Sequence, residues 1–109
     1  MSGVFELSSL EWQPVRPEIT RGVFGKTVLD GKVKVVLTRV VPGGRFEMHR
    51  DKYAHLFYFL GGEGTVWVGD KEFAARASLV VQIEAGEDNA YGNAGNEDLV
   101  LVSLNIPAA

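Results

Sequence analysis

The sequence predicts an all-β domain. Three observations carry this: no stretch repeats its apolar residues at helical spacing, β-branched and aromatic runs recur between Gly, Pro and Asp, and turn signals arrive roughly every 8 to 12 residues, as in a sandwich or barrel. The chain has 109 residues, 46% hydrophobic and 23% charged, which gives enough apolar side chain for one real core and too little for two. One domain over residues 1–109 is therefore expected.

Residues 1–20, with Trp12, Pro14 and Pro17, read as an irregular N-terminal arm able to add an outer strand. The expected strands then run over residues 22–27, 32–41, 46–51, 55–60, 64–68, 71–75, 78–83, 91–93 and 99–106. Asp30-Gly31 and Gly69-Asp70 each sit between two of these runs and supply the positive φ of tight hairpins. Pro42-Gly43-Gly44, Gly61-Gly62 and Ala85-Gly86 are expected to end further strands. Alternation assigns faces. In Lys32-Val33-Lys34-Val35-Val36-Leu37 the lysines point to water, which turns Val33, Val35 and Leu37 inward and, by parity, Arg39 with them. The same reading groups Glu47 with His49 and Asp51, and His55 with Phe57 and Phe59. Parity leaves open which of these faces is the interior.

Composition narrows the partners. The formal charge is −3, with no dense basic stripe to neutralise a phosphate backbone, so no nucleic-acid partner is expected. With no cysteine, any metal must be held by imidazole, carboxylate, amide or water. Glu6 and Glu11 interrupt the N-terminal stretch where a signal peptide would need its apolar run, and no segment reaches the roughly 18 apolar residues of a membrane span. A soluble cytoplasmic protein with no membrane partner is the simplest expectation.

The most informative segment runs from Gly43-Gly44-Arg45-Phe46-Glu47-Met48-His49-Arg50-Asp51 through His55 to Gly61-Gly62. It resembles the first cupin motif, G-x5-H-x-H-x3-E-x6-G: Gly43, His49 and Gly62 fall on their positions, Asp51 stands where the second histidine is usual, and His55 where the glutamate is usual. Downstream, Ser78 to Asn93 resembles the second motif, G-x5-P-x-G-x2-H-x3-N, matching at Gly86 and Asn93, with Ser78, Glu84 and Asn89 in the remaining places. The resemblance implies a jelly-roll barrel, the double-stranded β-helix of small cupins, paired as a homodimer. It also implies one divalent metal at His49, Asp51, His55 and Asn89.

Two imidazoles and one carboxylate form a facial ligand set that leaves positions open for water, oxygen or substrate; a mixed N/O set without thiolate fits Fe(II), Mn(II), Zn(II) or Ni(II). Asn89 is the weakest donor of the four, because an amide oxygen is a poor ligand for a transition metal. The same groups suit a metal-free hydrogen-bonding pocket, and Asp51 also reads as a turn residue ahead of Lys52. Asn93, next to glycine, reads as structural. Glu47 and Tyr53 are the candidate proton carriers, with Glu47 alternatively fixing the histidine tautomers. Arg39, Phe57 and Phe59 are the candidate substrate contacts, an inward arginine needing a carboxylate partner.

Two classes of function follow for a small-molecule partner. One is a metal-dependent enzyme of the dioxygenase or isomerase type. The other is a binding or sensing module without turnover.

Overall fold

The computed structural model describes residues 2–108. Its nine strands are β1 (Gln13–Pro14), β2 (Thr20–Asp30), β3 (Lys34–His49), β4 (Ala54–Gly61), β5 (Glu63–Val68), β6 (Lys71–Arg76), β7 (Val80–Ile83), β8 (Asn89–Gly92) and β9 (Leu99–Ile106). They pair antiparallel in the order β6-β5-β8-β3-β9-β4-β7, with β2 on β3 and the two-residue β1 on β2. One short 3-10 turn, Leu7–Ser9, precedes them. This is the all-β jelly roll the motif spacing implies.

The two runs expected over residues 32–41 and 46–51 form one bent strand. Pro42-Gly43-Gly44 turns a corner inside β3 rather than ending it. Up to Val40 the strand lies between β2 and β9, and from Arg45 it lies against β8. The corner needs glycine twice. Gly43 has φ 82°, and a Cβ on Gly44 would meet the Arg21 and Gly22 carbonyl oxygens at 2.8 and 2.9 Å. Buried Asn93 fastens it, donating from Nδ2 to the carbonyls of Val40 (2.9 Å) and Glu97 (2.7 Å) and accepting from the Gly95 N–H (2.9 Å), the structural use expected of it.

Register across β3, β9 and β4 stacks the interior in layers. Val40 and Leu99 share one row, Thr38, Leu101 and Phe59 the next, then Val36, Ser103 and Phe57, and finally Lys34, Asn105 and His55. Val40, Leu99, Leu101 and Phe59 are wholly buried, so the closed end is a packed apolar core, while the last row is polar. Phe57 meets Tyr91 of β8 edge-on at 5.3 Å, joining the two walls.

This reverses the expected faces of β3. Lys34, Val36 and Thr38 line the interior cavity and Val40 is buried, so Val35, Leu37 and Arg39 face outward, and Val33 lies in the loop before the strand. The premise that Lys34 seeks water still holds, because the mouth of the barrel is itself a polar cavity. Arg39 therefore corrects the substrate contact expected of it: it lies outside, over the Trp12 ring (4.6 Å) and the Phe24 ring (5.6 Å), 4.0 Å from Asp98.

Candidate metal centre

A second irregularity of β3 builds the site. Phe46 pairs with Tyr91, but the next paired residue is His49, opposite Asn89, so β3 carries an extra residue there. The bulge puts Phe46 and His49 on one face, their rings stacked 4.5 Å apart, and turns Glu47 and Met48 out. The grouping of Glu47 with His49 is thereby corrected. Its carboxylate is about half exposed and pairs with Arg45 at 3.4 Å. Its backbone carbonyl, not its side chain, receives the His49 ring nitrogen.

Beyond His49 the chain leaves the strand, and Asp51 stands in the loop before β4, fixed by the Gly86 N–H on its carbonyl (2.7 Å). His55 arrives from β4. Asp51 Oδ2 lies 3.2 Å from His49 Nε2 and 3.0 Å from His55 Nε2, and Oδ1 accepts from Arg16 Nη1 at 2.9 Å. All three side chains of the cluster are nearly buried, at 8–10% exposure. Burial alone would raise the Asp51 pKa; with protons on both Nε2 atoms and no metal bound, hydrogen bonds from His55 and Arg16, and the pull of Arg16 and His49, outweigh it and hold the carboxyl below its usual range.

The far ring nitrogens decide the chemistry. His49 Nδ1 lies 2.7 Å from the Glu47 carbonyl oxygen and His55 Nδ1 lies 3.1 Å from Asn105 Oδ1. Both oxygens only accept, so each Nδ1 carries the hydrogen, and in a neutral imidazole the Nε2 then presents a lone pair. Two nitrogen lone pairs thus meet one carboxylate oxygen, an arrangement that needs a proton on each Nε2 or a shared cation. Ligands held about 2.1 Å from one ion at right angles stand about 3.0 Å apart. The two separations given above match that edge. The three ligand atoms lie within 4.8 Å of one another, so the residues fit a divalent ion.

Asn89 is paired in register with His49, which places the two side chains on one face. Its Nδ2 donates to the carbonyls of Glu87 (3.2 Å) and His49 (3.4 Å), while its Oδ1 is buried without a partner. An acceptor left unsatisfied in a buried place calls for a donor or a cation.

The cluster opens into a cavity of about 240 Å³. Phe46, Phe57 and Tyr91 form its apolar wall; Tyr53, His49, His55, Asn105, Lys34 and Arg16 supply polar groups. Phe57 therefore lines the space, whereas Phe59 lies in the core beneath it, 6.4 Å from Phe57. Tyr53 packs on His55 at 5.0 Å between ring centres, and burial together with the Asp51 charge raises its phenol pKa. Burial drives the Tyr91 phenol further up.

Sequence reasoning missed Arg16 and Asn105. Arg16 reaches Asp51 across 35 residues from an arm without pattern, at a strained φ of 42°. Asn105 did leave a signal: with Ser103 it breaks the apolar run of β9 on one parity.

A family model for the cupin domain matches residues 36–105, and the chain belongs to the cupin family. No curated protein matches the sequence. Among solved structures, a predicted oxalate decarboxylase from Thermotoga maritima is similar at TM-score 0.88 and 22% identity, covering 97% of this chain and 100% of that one. The polyketide cyclase RemF from Streptomyces resistomycificus is similar at TM-score 0.87 and 14% identity, over 96% and 79% of the two chains. KdgF from a Halomonas species is similar at TM-score 0.84 and 16% identity, over 98% and 96%. At these identities the likeness is one of fold.

Proposed function

We propose that this cupin is a metal-dependent enzyme acting on a small organic molecule, in the manner of a dioxygenase or isomerase, with one divalent ion held by His49, Asp51, His55 and Asn89. The observation that carries this reading is the pair of Nδ1 hydrogen bonds, which leave both Nε2 lone pairs to converge on Asp51. A bound divalent ion supplies Lewis-acid polarisation and a template for substrate. Arg16 holds the Asp51 carboxylate in place through one oxygen and leaves the other to the histidines. Tyr53, its pKa raised, stays a neutral phenol near pH 7 and gives up its proton only to a strongly basic atom, so its role is that of a hydrogen-bond donor or acid. The Phe46, Phe57 and Tyr91 wall keeps water from the apolar side of the ligand. Structures sharing the fold include proteins described as enzymes on small organic molecules, which supports catalysis as a use this barrel permits.

Metal analysis of protein purified without an affinity tag, after reconstitution and desalting, tests the reading. Wild-type protein is expected to retain about one equivalent per chain, and His49→Ala and His55→Ala less than about a tenth. Wild type that also falls below that level would overturn it.

A further inference from the structure

The cavity over the cluster is short of negative charge. Its charged lining residues are Arg16 and Lys34; no Asp or Glu lines it, and Asp51 is the one carboxylate that reaches its histidines among the described residues. Arg16 is already paired with Asp51 at 2.9 Å and with the exposed Glu18 at 3.6 Å. Lys34 has no carboxylate within 4.0 Å among the described residues. Counting Arg16, Lys34 and Asp51 leaves an excess of one positive charge before any cation joins the histidines.

The hydrogen-bonding inventory has the same sign. His55 engages Oδ1 of Asn105, so Asn105 turns its amide nitrogen elsewhere, and that nitrogen has no acceptor among the described residues. The Tyr53 hydroxyl and the Lys34 ammonium likewise lack acceptors there, and all three residues line the one cavity. Lys34, Asn105 and His55 form a single row across β3, β9 and β4. With strands about 4.8 Å apart, the roots of Lys34 and His55 are about 10 Å apart, a span the lysine stem partly closes. A cavity of about 240 Å³ has the volume of about eight waters.

The geometry points to a small organic carboxylate as the ligand, with Lys34 as its anchor, assisted by Asn105, at the end of the cavity facing the histidine cluster. This deepens the proposed function and rests on that reading for what happens at the ligand's other end. Lys34 is a specificity-determining residue, not a metal ligand. Its removal leaves the cluster intact and relieves a half-buried cation of its missing partner.

Isothermal titration at low ionic strength, on protein loaded with Mn(II) alone, tests this with acetate, malonate, succinate, glutarate, succinamide and inorganic phosphate as probes. At least one carboxylate is expected to bind, succinamide to bind about tenfold or more weaker than succinate, and Lys34→Met to weaken the best carboxylate by about tenfold or more at unchanged metal content. Lys34→Arg is expected to stay within about threefold of wild type, and Lys34→Met to melt no lower than wild type. The inference is overturned if no carboxylate binds, if succinamide matches succinate, if phosphate binds tighter than every carboxylate, or if Lys34→Met binds like wild type. A repeat with chelator and on His49→Ala separates the two readings. Carboxylate binding that depends on Lys34 in protein that never takes up metal defeats the metal centre alone. Metal uptake with binding indifferent to Lys34 defeats the anchor alone.

Discussion

Asp51 meets three nitrogens: one guanidinium nitrogen on Oδ1 and two imidazole nitrogens on Oδ2. Because its folded pKa lies below the unfolded value of about 3.9, it contributes stability that is complete above that pH and is lost as pH falls through the folded pKa. Arg16→Gln removes a hydrogen bond and a cation from that balance and brings the folded pKa closer to the unfolded one, so the acid-side loss is expected to be smaller and to finish at higher pH. Stability at pH 7 should fall by about 1 kcal/mol, since Arg16 is partly exposed. Urea denaturation from pH 3 to 7 checks this, and superimposable profiles for the two proteins would contradict it. His49, Asp51 and His55 were legible in the sequence because they lie within seven positions in a motif spacing. Arg16 was not, because its contact closes a loop of 35 residues, which no local pattern encodes; Asn105 left only a polar break in β9, with nothing to show that its contact lies 50 residues away at His55.

At the scale of elements, glycine placement and two irregularities of β3 decide what the strands present. The hairpin at Gly69-Asp70 could be read directly, with Gly69 at φ 60°, since turn chemistry is local; Asp30-Gly31 also marks a hairpin, but its loop spans residues 31–33 and Gly31 does not take the positive φ expected of it. The corner at Pro42-Gly43-Gly44 and the bulge after Phe46 could not, because each depends on which strand lies alongside. Parity therefore failed at Glu47, and the face of β3 was inverted because a lysine at a cavity mouth looks like a lysine on a surface. Gly43 and Gly62 test the backbone account with nearly the same φ, 82° and 79°, in different surroundings. A Cβ at Gly43 meets nothing within 4 Å, whereas at Gly62 it would overlap the Asp98 carbonyl oxygen and lie 2.8 Å from Leu99 Cα. Gly43→Ala should cost about 1–2 kcal/mol and Gly62→Ala at least about 3 kcal/mol, read as the difference in thermal melting. Equal losses would show that packing against Asp98 does not set the requirement.

For the whole molecule, one gradient connects fold and function: a closed apolar end built on Val40, Leu99, Leu101 and Phe59, and an open polar end built on Lys34, Asn105, His55 and His49. The succession of strands along the chain and the all-β class were legible because alternation and turn spacing repeat along it, and the jelly roll followed from the motif resemblance. The polarity of the mouth was not, because it sums single residues from β3, β4, β9 and the arm. The central claim is that this mouth closes around a divalent ion. Crystals grown with Mn(II) or Zn(II) and measured on either side of the metal's absorption edge test it most directly. An anomalous peak is expected within about 2.0–2.3 Å of His49 Nε2, His55 Nε2 and an Asp51 oxygen; a clean difference map there, with the three side chains unmoved, would contradict it.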